Sequence, residues 1–208
     1  MNAQDLNKIL NAALATCEEH EAELGKLDSV AGDGDHGTGM VRGLRAATRA
    51  TFSIDASCGD ALIVAGDTFA DAAGGASGAL WGVLLRTCGE HLRDEPVTAG
   101  AIISALRAGL EALTKTGKTQ LGDKTLVDVL EPFLRHLEAS FEKDACLRHA
   151  WAVSIPTAHE AANETAQMTA KKGRAAALGE RSLGTVDPGA RSMELILEAI
   201  SASLSDTT

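Results

Sequence analysis

The sequence predicts an all-α protein, and three observations lead to that prediction. Apolar residues recur at spacings of three and four along almost the whole chain, which is the period of an amphipathic helix. No segment shows a convincing strand pattern. The chain of 208 residues has 3% aromatic residues and no tyrosine, whereas strands favour aromatic and β-branched side chains. Nothing marks a linker or a repeat, so we predict a single domain over residues 1–208, built from eight amphipathic helices.

Apolar faces mark the first four helices. The first is expected to end near Gly25, because glycine is favoured just beyond a helix C-terminus. Arg42, Arg45 and Arg49 share the polar face of the second helix and are expected to be solvated. The predicted ranges are about 6–25, 38–51 and 59–73, with the fourth helix following Gly78.

Boundary signals are clearer in the last four helices. Thr98 is the expected N-cap of the fifth helix. Pro132 lies inside the apolar pattern of the sixth helix, which begins near Thr125, and is expected to kink it. The seventh and eighth helices are expected at 145–172 and at 190–204, with a frayed tail at 205–208.

The unusual residues lie in the loops after the first, third, fifth and seventh helices. In an up-and-down arrangement, loops after alternate helices lie at the same end of the bundle. Several of these loops also lead into helix N-termini, which favour anions. The sequence therefore predicts one rim that gathers four loops, namely 28–40, 74–78, 117–124 and 174–189.

The first of these loops is rich in carboxylates and glycines. Asp28, Asp33 and Asp35 are hard oxygen ligands that would repel one another if no cation lay between them. Glycines at 32, 34, 37 and 39 disfavour a regular helix or strand and let backbone N–H groups approach a ligand. Magnesium shared with substrate phosphates is the cation that such a loop suits best. The alternative is an Asp/Gly-rich turn that only caps the following helix.

Three familiar motifs fit this chain poorly. The GxGxxG match at 32–37 has no apolar strand before it and would set two aspartates against a pyrophosphate. An EF-hand starting at Asp33 would need glycine and glutamate where Thr38 and Leu44 stand. A Walker A loop ending at Thr119 would need glycine where Ala112 stands.

Other polar residues of the rim are candidates for phosphate binding. Arg174, Arg181 and Arg191 are each placed to contact phosphate, with an ion pair to Glu180 or Asp187 as the alternative for Arg181. We expect His36 to donate a hydrogen bond to a phosphate oxygen, and Ser77 to be either a helix N-cap or a phosphate contact. The two lysines of the third loop are expected to be solvated, namely Lys118 and Lys124.

Charge and cysteine usage narrow the class of protein. A net charge of −10 argues against a broad basic face for nucleic acid and against an anionic membrane surface. The N-terminus lacks the basic-then-apolar order of a signal peptide, and no apolar run approaches the ~20 residues that span a bilayer. The four cysteines are widely spaced and are expected to be buried thiols in a reducing cytoplasm.

Four motifs in order give the chain a family resemblance. They are the Asp loop through Thr38, the Gly74–Gly78 turn, the segment 122–125, and the segment 173–190. Together they resemble the nucleotide-binding L subunit of dihydroxyacetone kinase, also found as the C-terminal domain of ATP-dependent dihydroxyacetone kinases. The resemblance covers nearly the whole chain. It implies a closed barrel of eight up-and-down helices with the nucleotide, ADP or ATP, at one end.

The resemblance also implies roles for individual residues. Asp28, Asp33 and Asp35 would bind two Mg²⁺ ions that bridge to the nucleotide phosphates. Residues touching phosphate would be His36, Gly37, Thr38, Gly39, Ser77 and Gly78. Residues bordering the base and sugar would be Gly117 and Leu126, and the pocket would be completed by Arg174, Asp187, Pro188 and Gly189. Catalysis would be positioning and charge neutralisation, with no catalytic side chain on this chain.

In the family, dihydroxyacetone is held by a separate K subunit or domain. The resemblance therefore implies a K-type partner, and for a chain of this length a phosphotransferase-system protein that phosphorylates bound ADP. Two alternatives stay open, an ATP-dependent kinase subunit for another ketose such as erythrulose, and a nucleotide-binding adaptor without turnover.

Overall fold

A computed structural model describes residues 3–51, 56–93 and 96–205, and within these ranges the chain is helical and has no strand. The α-helices are α1 (Ala3–Glu19), α2 (Glu21–Asp28), α3 (His36–Arg49), α4 (Cys58–Ala73), α5 (Gly75–Leu92), α6 (Ala99–Gly117), α7 (Val127–Asp144), α8 (Leu147–Glu164) and α9 (Pro188–Ser205). Two 3₁₀ segments, Thr165–Gln167 and Arg174–Ser182, lie between α8 and α9. The all-α prediction is confirmed. No described helix is both long enough and apolar enough to cross a bilayer.

Each long helix packs against the next one along the chain. Leaving out the short α2, the order of neighbours runs from α1 to α3 and then in sequence to α9, and α9 packs against α1. That return to the starting helix is the order of neighbours that a closed barrel requires. The shared interior is apolar, and Phe133 and Trp151 meet edge to face there, with ring centroids 5.1 Å apart.

The first predicted helix is divided in two, which is a correction to the expected count of eight. The break falls at His20, whose Nδ1 donates to the carbonyl of Thr16 at 2.9 Å. Gly25 lies inside α2 rather than beyond a helix end. A Cβ there would lie 3.0 Å from the carbonyl oxygen of Gly34, so the glycine lets the Asp loop pack closely on α2.

Two other boundaries differ from the predicted ones. The seventh predicted helix ends at Glu164 and not at 172. The cause is that the residues directly after Glu164 pair with the segment that precedes α9. There the N–H of Gly184 donates to Ala166 and the N–H of Asp187 donates to the hydroxyl of Thr165. The fourth predicted helix begins at Gly75 instead of after Gly78. Of the predicted frayed tail, 206–208 lie outside the described residues.

Side chains at the helix ends agree with the sequence in one case and correct it in another. The predicted N-cap is confirmed, since the hydroxyl of Thr98 accepts a hydrogen bond from the N–H of Ala101 at 3.1 Å. Arg42, expected to be solvated, donates to the carbonyls of Ala72 and Ala73 at 2.5 and 2.7 Å. It therefore caps the C-terminus of α4, immediately before the glycine-rich turn.

The cysteines follow the prediction in part. All four are free thiols, and those at 17, 58 and 88 are buried as expected. Cys146 is exposed, because it stands at the N-cap of α8 rather than on an apolar helix face.

Glycines bring α4 and α5 into close backbone contact. A Cβ at Gly59 would lie 2.5 Å from the carbonyl oxygen of Gly89, and a Cβ at Gly82 would lie 2.6 Å from the Cβ of Ala70. Contacts this short are not seen for real Cβ atoms, so a larger residue at these positions would force the helices apart.

We expect Gly59→Ala to destabilise the protein by about 2 kcal/mol, within the range of overpacking substitutions. The matched control is Gly100→Ala in the first turn of α6, where an added Cβ would meet no atom within 4 Å. That change should be neutral or stabilising by up to about 1 kcal/mol, because alanine favours helix. Urea denaturation measures both, and equal effects would contradict the packing explanation.

Candidate functional site

The four loops predicted to share a rim surround one cavity. The cavity has a volume of about 450 Å³ and lies where the loop after α2, the turn between α4 and α5, the loop after α6 and the segment leading into α9 come together. Its lining combines carboxylates, among them Asp28 and Asp35, with apolar side chains, including Leu80, Leu113 and Leu126. A ligand with a charged part and a flat apolar part fits this composition.

Most of the predicted site residues line this cavity. They are Asp28, Asp35, His36, Gly39, Ser77, Gly117, Leu126, Arg174, Asp187, Pro188 and Gly189. The predicted residues outside the lining are Asp33, Gly37, Thr38 and Gly78.

The three aspartates of the first loop converge as the sequence indicated. Asp28, Asp33 and Asp35 each offer a carboxylate oxygen, and these oxygens lie within 4.8 Å of one another. The Asp28 carboxylate also organises the loop, because its Oδ2 accepts from the N–H groups of Gly34 and Asp35 at 2.9 and 3.0 Å. A Cβ at Gly32 would lie 2.4 Å from Oδ1 of Asp28, so only glycine leaves room for this carboxylate.

The three aspartate carboxylates are balanced by only one neighbouring cation among the described residues that line the cavity beside them, Arg174. Arg174, which lines the cavity, forms an ion pair with Asp33 and holds the pKa of that carboxyl below its usual value. The pKa of Asp35 is raised, chiefly by a hydrogen bond with Asp33. Asp33 and Asp35 share a hydrogen bond, and the carboxylate of Asp28 lies beside them. These three hard oxygen donors carry more negative charge than Arg174 alone can balance. The residues present therefore fit a divalent cation such as Mg²⁺.

His36 lies where three helices meet. Its side chain is buried, with Nδ1 3.2 Å from the hydroxyl of Ser77 on α5 and Nε2 3.0 Å from the hydroxyl of Ser192 on α9. Both ring nitrogens thus have protein partners, and the contact of His36 with phosphate stays a prediction. Burial lowers the pKa of the imidazole, which favours its neutral form. Ser77 lies in the first turn of α5 without capping it, because the N-cap is Gly74.

Three of the predicted phosphate contacts serve helix packing. A Cβ at Gly37 would lie 2.1 Å from the carbonyl oxygen of Glu21, and one at Gly78 would lie 3.0 Å from that of Ala70. The hydroxyl of Thr38 donates to the carboxylate of Glu21 at 2.9 Å. Any contact of these residues with phosphate stays a prediction.

Lys124 is buried, which corrects the expectation that it is solvated. Its ammonium donates to the carbonyls of Met168, Ser182 and Thr185 at 3.2, 2.5 and 2.7 Å. These carbonyls belong to the segment between α8 and α9, so Lys124 holds that segment against the loop after α6. Lys118 is exposed, as predicted.

Asp187 lies close to this buried cation. Although the residue is partly exposed, its carboxyl group is densely enclosed, and burial raises its pKa to about 7. The positive charge of Lys124 opposes that rise, and the negative charge of Asp128 adds to it. Oδ2 of Asp187 also accepts from the N–H of Ala190 at 2.8 Å, which caps the start of α9.

Two of the three candidate arginines do not line the cavity. Arg191 donates to Glu194 at 2.5 Å and lies 3.4 Å from Glu23, so it belongs to a network on α9 and α2. Arg181 is exposed in the second 3₁₀ segment. Arg174 alone of the three reaches the aspartates.

Sequence reasoning missed several residues of the lining. Thr119 and Thr125 face the cavity, and their hydroxyls lie 3.3 Å apart. Lys172 also lines it, half-buried. The signal that could have found Lys172 is its position directly before Gly173 and Arg174, a motif that the sequence had already marked.

Comparison with known proteins gives consistent matches. The family model described as the DAK2 domain matches residues 30–202. An L-erythrulose kinase of Pectobacterium atrosepticum is 46% identical over 204 residues, which cover 96% of this chain and 35% of that protein. The ADP-binding subunit of PEP-dependent dihydroxyacetone kinase 1 from Listeria innocua is 36% identical over 184 residues, covering 88% of this chain and 87% of that subunit. This chain thus spans about a third of the erythrulose kinase and most of the subunit.

A solved structure has the same helical fold. The dihydroxyacetone kinase from C. freundii, in complex with AMP-PNP and Mg²⁺, superimposes with a TM-score of 0.74 at 23% identity. The match covers 95% of this chain and 33% of that one.

Proposed function

Because this chain belongs to the DAK2 domain family, we propose that it binds a magnesium–nucleotide in the cavity and delivers a phosphoryl group to a short ketose held by a partner. The observation that carries this proposal is the convergence of three aspartate oxygens beside a cavity that is also lined by apolar side chains. The relatives support it, since they are kinases of dihydroxyacetone or erythrulose.

Each part of the cavity has a task in this proposal. Asp28, Asp33 and Asp35 would hold Mg²⁺, one ion or two, which supplies charge neutralisation and alignment of the phosphates. Arg174, now paired with Asp33, lines the cavity beside the aspartates and would contact the phosphates. Leu113 and Leu126 would bound the adenine. The same donors argue against an adaptor without turnover, because adaptor binding does not require a cluster of metal-binding carboxylates.

The ketose is assigned to a partner because the Listeria relative is named as the ADP-binding subunit of its kinase. The candidate residues of the lining agree with this assignment: the amine of Lys124 is fully engaged by three carbonyl groups, and Lys172 is assigned below to the phosphates. His36 has both ring nitrogens engaged. A K-type subunit or domain would supply the missing site, docking on the rim where the exposed apolar side chains of Val30, Leu121 and Leu183 stand.

Two phosphoryl donors are compatible with this site. The Listeria subunit favours a phosphotransferase-system protein that rephosphorylates retained ADP in the cytoplasm. The higher identity to an erythrulose kinase favours the second candidate, ATP as donor and a four-carbon ketose as acceptor. Mass spectrometry of the purified chain separates them. Stoichiometric ADP after gel filtration supports the first, and ATP that exchanges within seconds supports the second.

The chain by itself is expected to produce no ketose phosphate from ATP, Mg²⁺ and either dihydroxyacetone or erythrulose. The reason is the division of labour described above. Adding a K-type subunit should restore turnover, which a coupled assay for ADP release measures with and without ketose. Sustained ketose-dependent turnover by the chain alone would show that the sugar site is here.

A further inference from the structure

The described lining of the cavity contains three side chains with a permanent positive charge, and two of them are already engaged. Lys124 donates to three carbonyl groups, and Arg174 is paired with Asp33. Lys172 is the third. Within the part of the chain that the structure describes, its ammonium makes no hydrogen bond and no ion pair.

Lys172 as a whole residue is half-buried, so part of its side chain packs into the lining while its ammonium has no protein partner among the described residues. The charge of the site favours an anionic partner for this ammonium. The chain carries a net charge of −10, and the three aspartate carboxylates already converge at this site, so a polyphosphate entering the cavity would add to the negative charge. Lysine commonly serves phosphate as a point charge.

The backbone holds Lys172 beside the phosphate end of the cavity. It is two residues before Arg174, so the Cα atoms of the two lie within about 7 Å of each other. The N–H of the preceding Lys171 donates to the carbonyl of Asp123 at 3.1 Å, which fixes the approach of the chain. Lys172 thus follows a residue that is bonded to the loop after α6, and it precedes by two positions the arginine that pairs with Asp33.

We infer that Lys172 binds the phosphates of the nucleotide directly, as a ligand residue separate from the aspartate cluster and from Arg174. This inference rests on the proposed function, because its ligand is a nucleoside diphosphate or triphosphate. Within the described lining, Lys172 is the one cation without a protein partner, and the nucleotide phosphates are the anion that it would bind.

The neighbouring lysine provides a matched control. Lys171 has the same charge and almost the same position in the chain, but it is exposed and does not line the cavity. Lys171→Met therefore changes the net charge as Lys172→Met does, without removing a cation from the site. Lys172→Arg keeps the charge at the site.

Calorimetry with Mg–ADP at low and at high salt tests the inference. Lys172→Met should weaken binding about tenfold, the lower range for a hydrogen bond to a charged group, and should make affinity less dependent on salt. Lys171→Met should match the wild type, and Lys172→Arg should recover most of the loss. Circular dichroism without nucleotide checks that the variants are folded.

The outcomes separate this inference from the proposed function. If the wild type binds Mg–ADP and the two methionine variants bind it equally well or equally weakly, then Lys172 makes no contact and the inference is overturned alone. If the wild type itself does not bind Mg–ADP, both fall together.

Discussion

Replacing Asp33 with alanine is expected to weaken Mg–ADP binding about a hundredfold, which is about 2.8 kcal/mol, without changing the fold. Asp33 contributes one of three converging carboxylate oxygens, and its side chain is exposed. Its removal leaves two ligands for a cation that must also counter the phosphate charge. No packing is lost, because the carboxylate contacts only its neighbours in the loop and Arg174.

Asp33 is a sharper test of the metal site than Asp28. The Asp28 carboxylate accepts hydrogen bonds from the N–H groups of Gly34 and Asp35, so its loss would also rearrange the loop. Replacing Asp33 has one side effect, which is to release Arg174 from its ion pair. A freed Arg174 can contact phosphate, which partly offsets the loss, so the hundredfold figure is for the net effect.

Calorimetry in Mg²⁺ and in EDTA measures the effect. The control is Asp67→Ala on α4, which removes a similarly exposed carboxylate paired with Arg86, neither of which lines the cavity. Exposed ion pairs contribute little, so this variant should bind and unfold like the wild type. Unchanged affinity in Asp33→Ala, together with indifference to EDTA, would eliminate the cation site.

The sequence predicts this loop well because its information is local. Asp28, Asp33 and Asp35 fall within one short segment, and any compact arrangement of that segment brings their carboxylates together. The helices were predictable for the same reason, since period and caps such as Thr98 are read within a few turns. The prediction that four loops share one rim needed one further assumption, which is that successive helices alternate in direction.

What the sequence could not predict depends on contacts between distant residues. The partners of Lys124 lie up to 61 positions further on, and Ser192 lies 156 positions from His36. Nothing near Lys124 separates it from the exposed Lys118, and nothing near His36 shows that its ring is enclosed. The early end of α8 has the same origin, because pairing with residues before α9 overrides a helix-favouring sequence.

The buried cation of Lys124 gives the largest expected effect on stability. Lys124→Met should destabilise the protein by about 3 kcal/mol, because three carbonyl groups lose their donor in a site that admits little water. For a domain of this size that corresponds to a fall in Tm of about 10 °C. Mg–ADP binding should weaken too, because the segment that carries Arg174 is no longer held against the loop after α6.

The loss should grow with pH, because Lys124 also counters the charge of Asp187. The pKa of Asp187 is raised to about 7 in the folded protein, so the native state binds more protons than the unfolded state between about pH 4 and 7. Stability linked to this group is therefore present at low pH and is lost as pH rises through 7. Without Lys124 the pKa rises further, since the nearby charge of Asp128 remains. At pH 5.5 the side chain of Asp187 is protonated and neutral, so the loss of Lys124 leaves no charge unbalanced there. At pH 8.5 Asp187 is an enclosed carboxylate, and the variant no longer has the cation that counters its charge.

Urea denaturation at these two pH values measures the difference between the variant and the wild type. Lys118→Met, in the same loop but exposed, should behave like the wild type at both. The double variant Lys124→Met/Asp187→Asn keeps a side chain able to cap α9 and removes the titrating group. It should retain the destabilisation from the three carbonyls and lose its growth with pH. A difference between Lys124→Met and the wild type that is the same at both pH values would instead assign the whole effect to the carbonyls and leave Asp187 independent of Lys124.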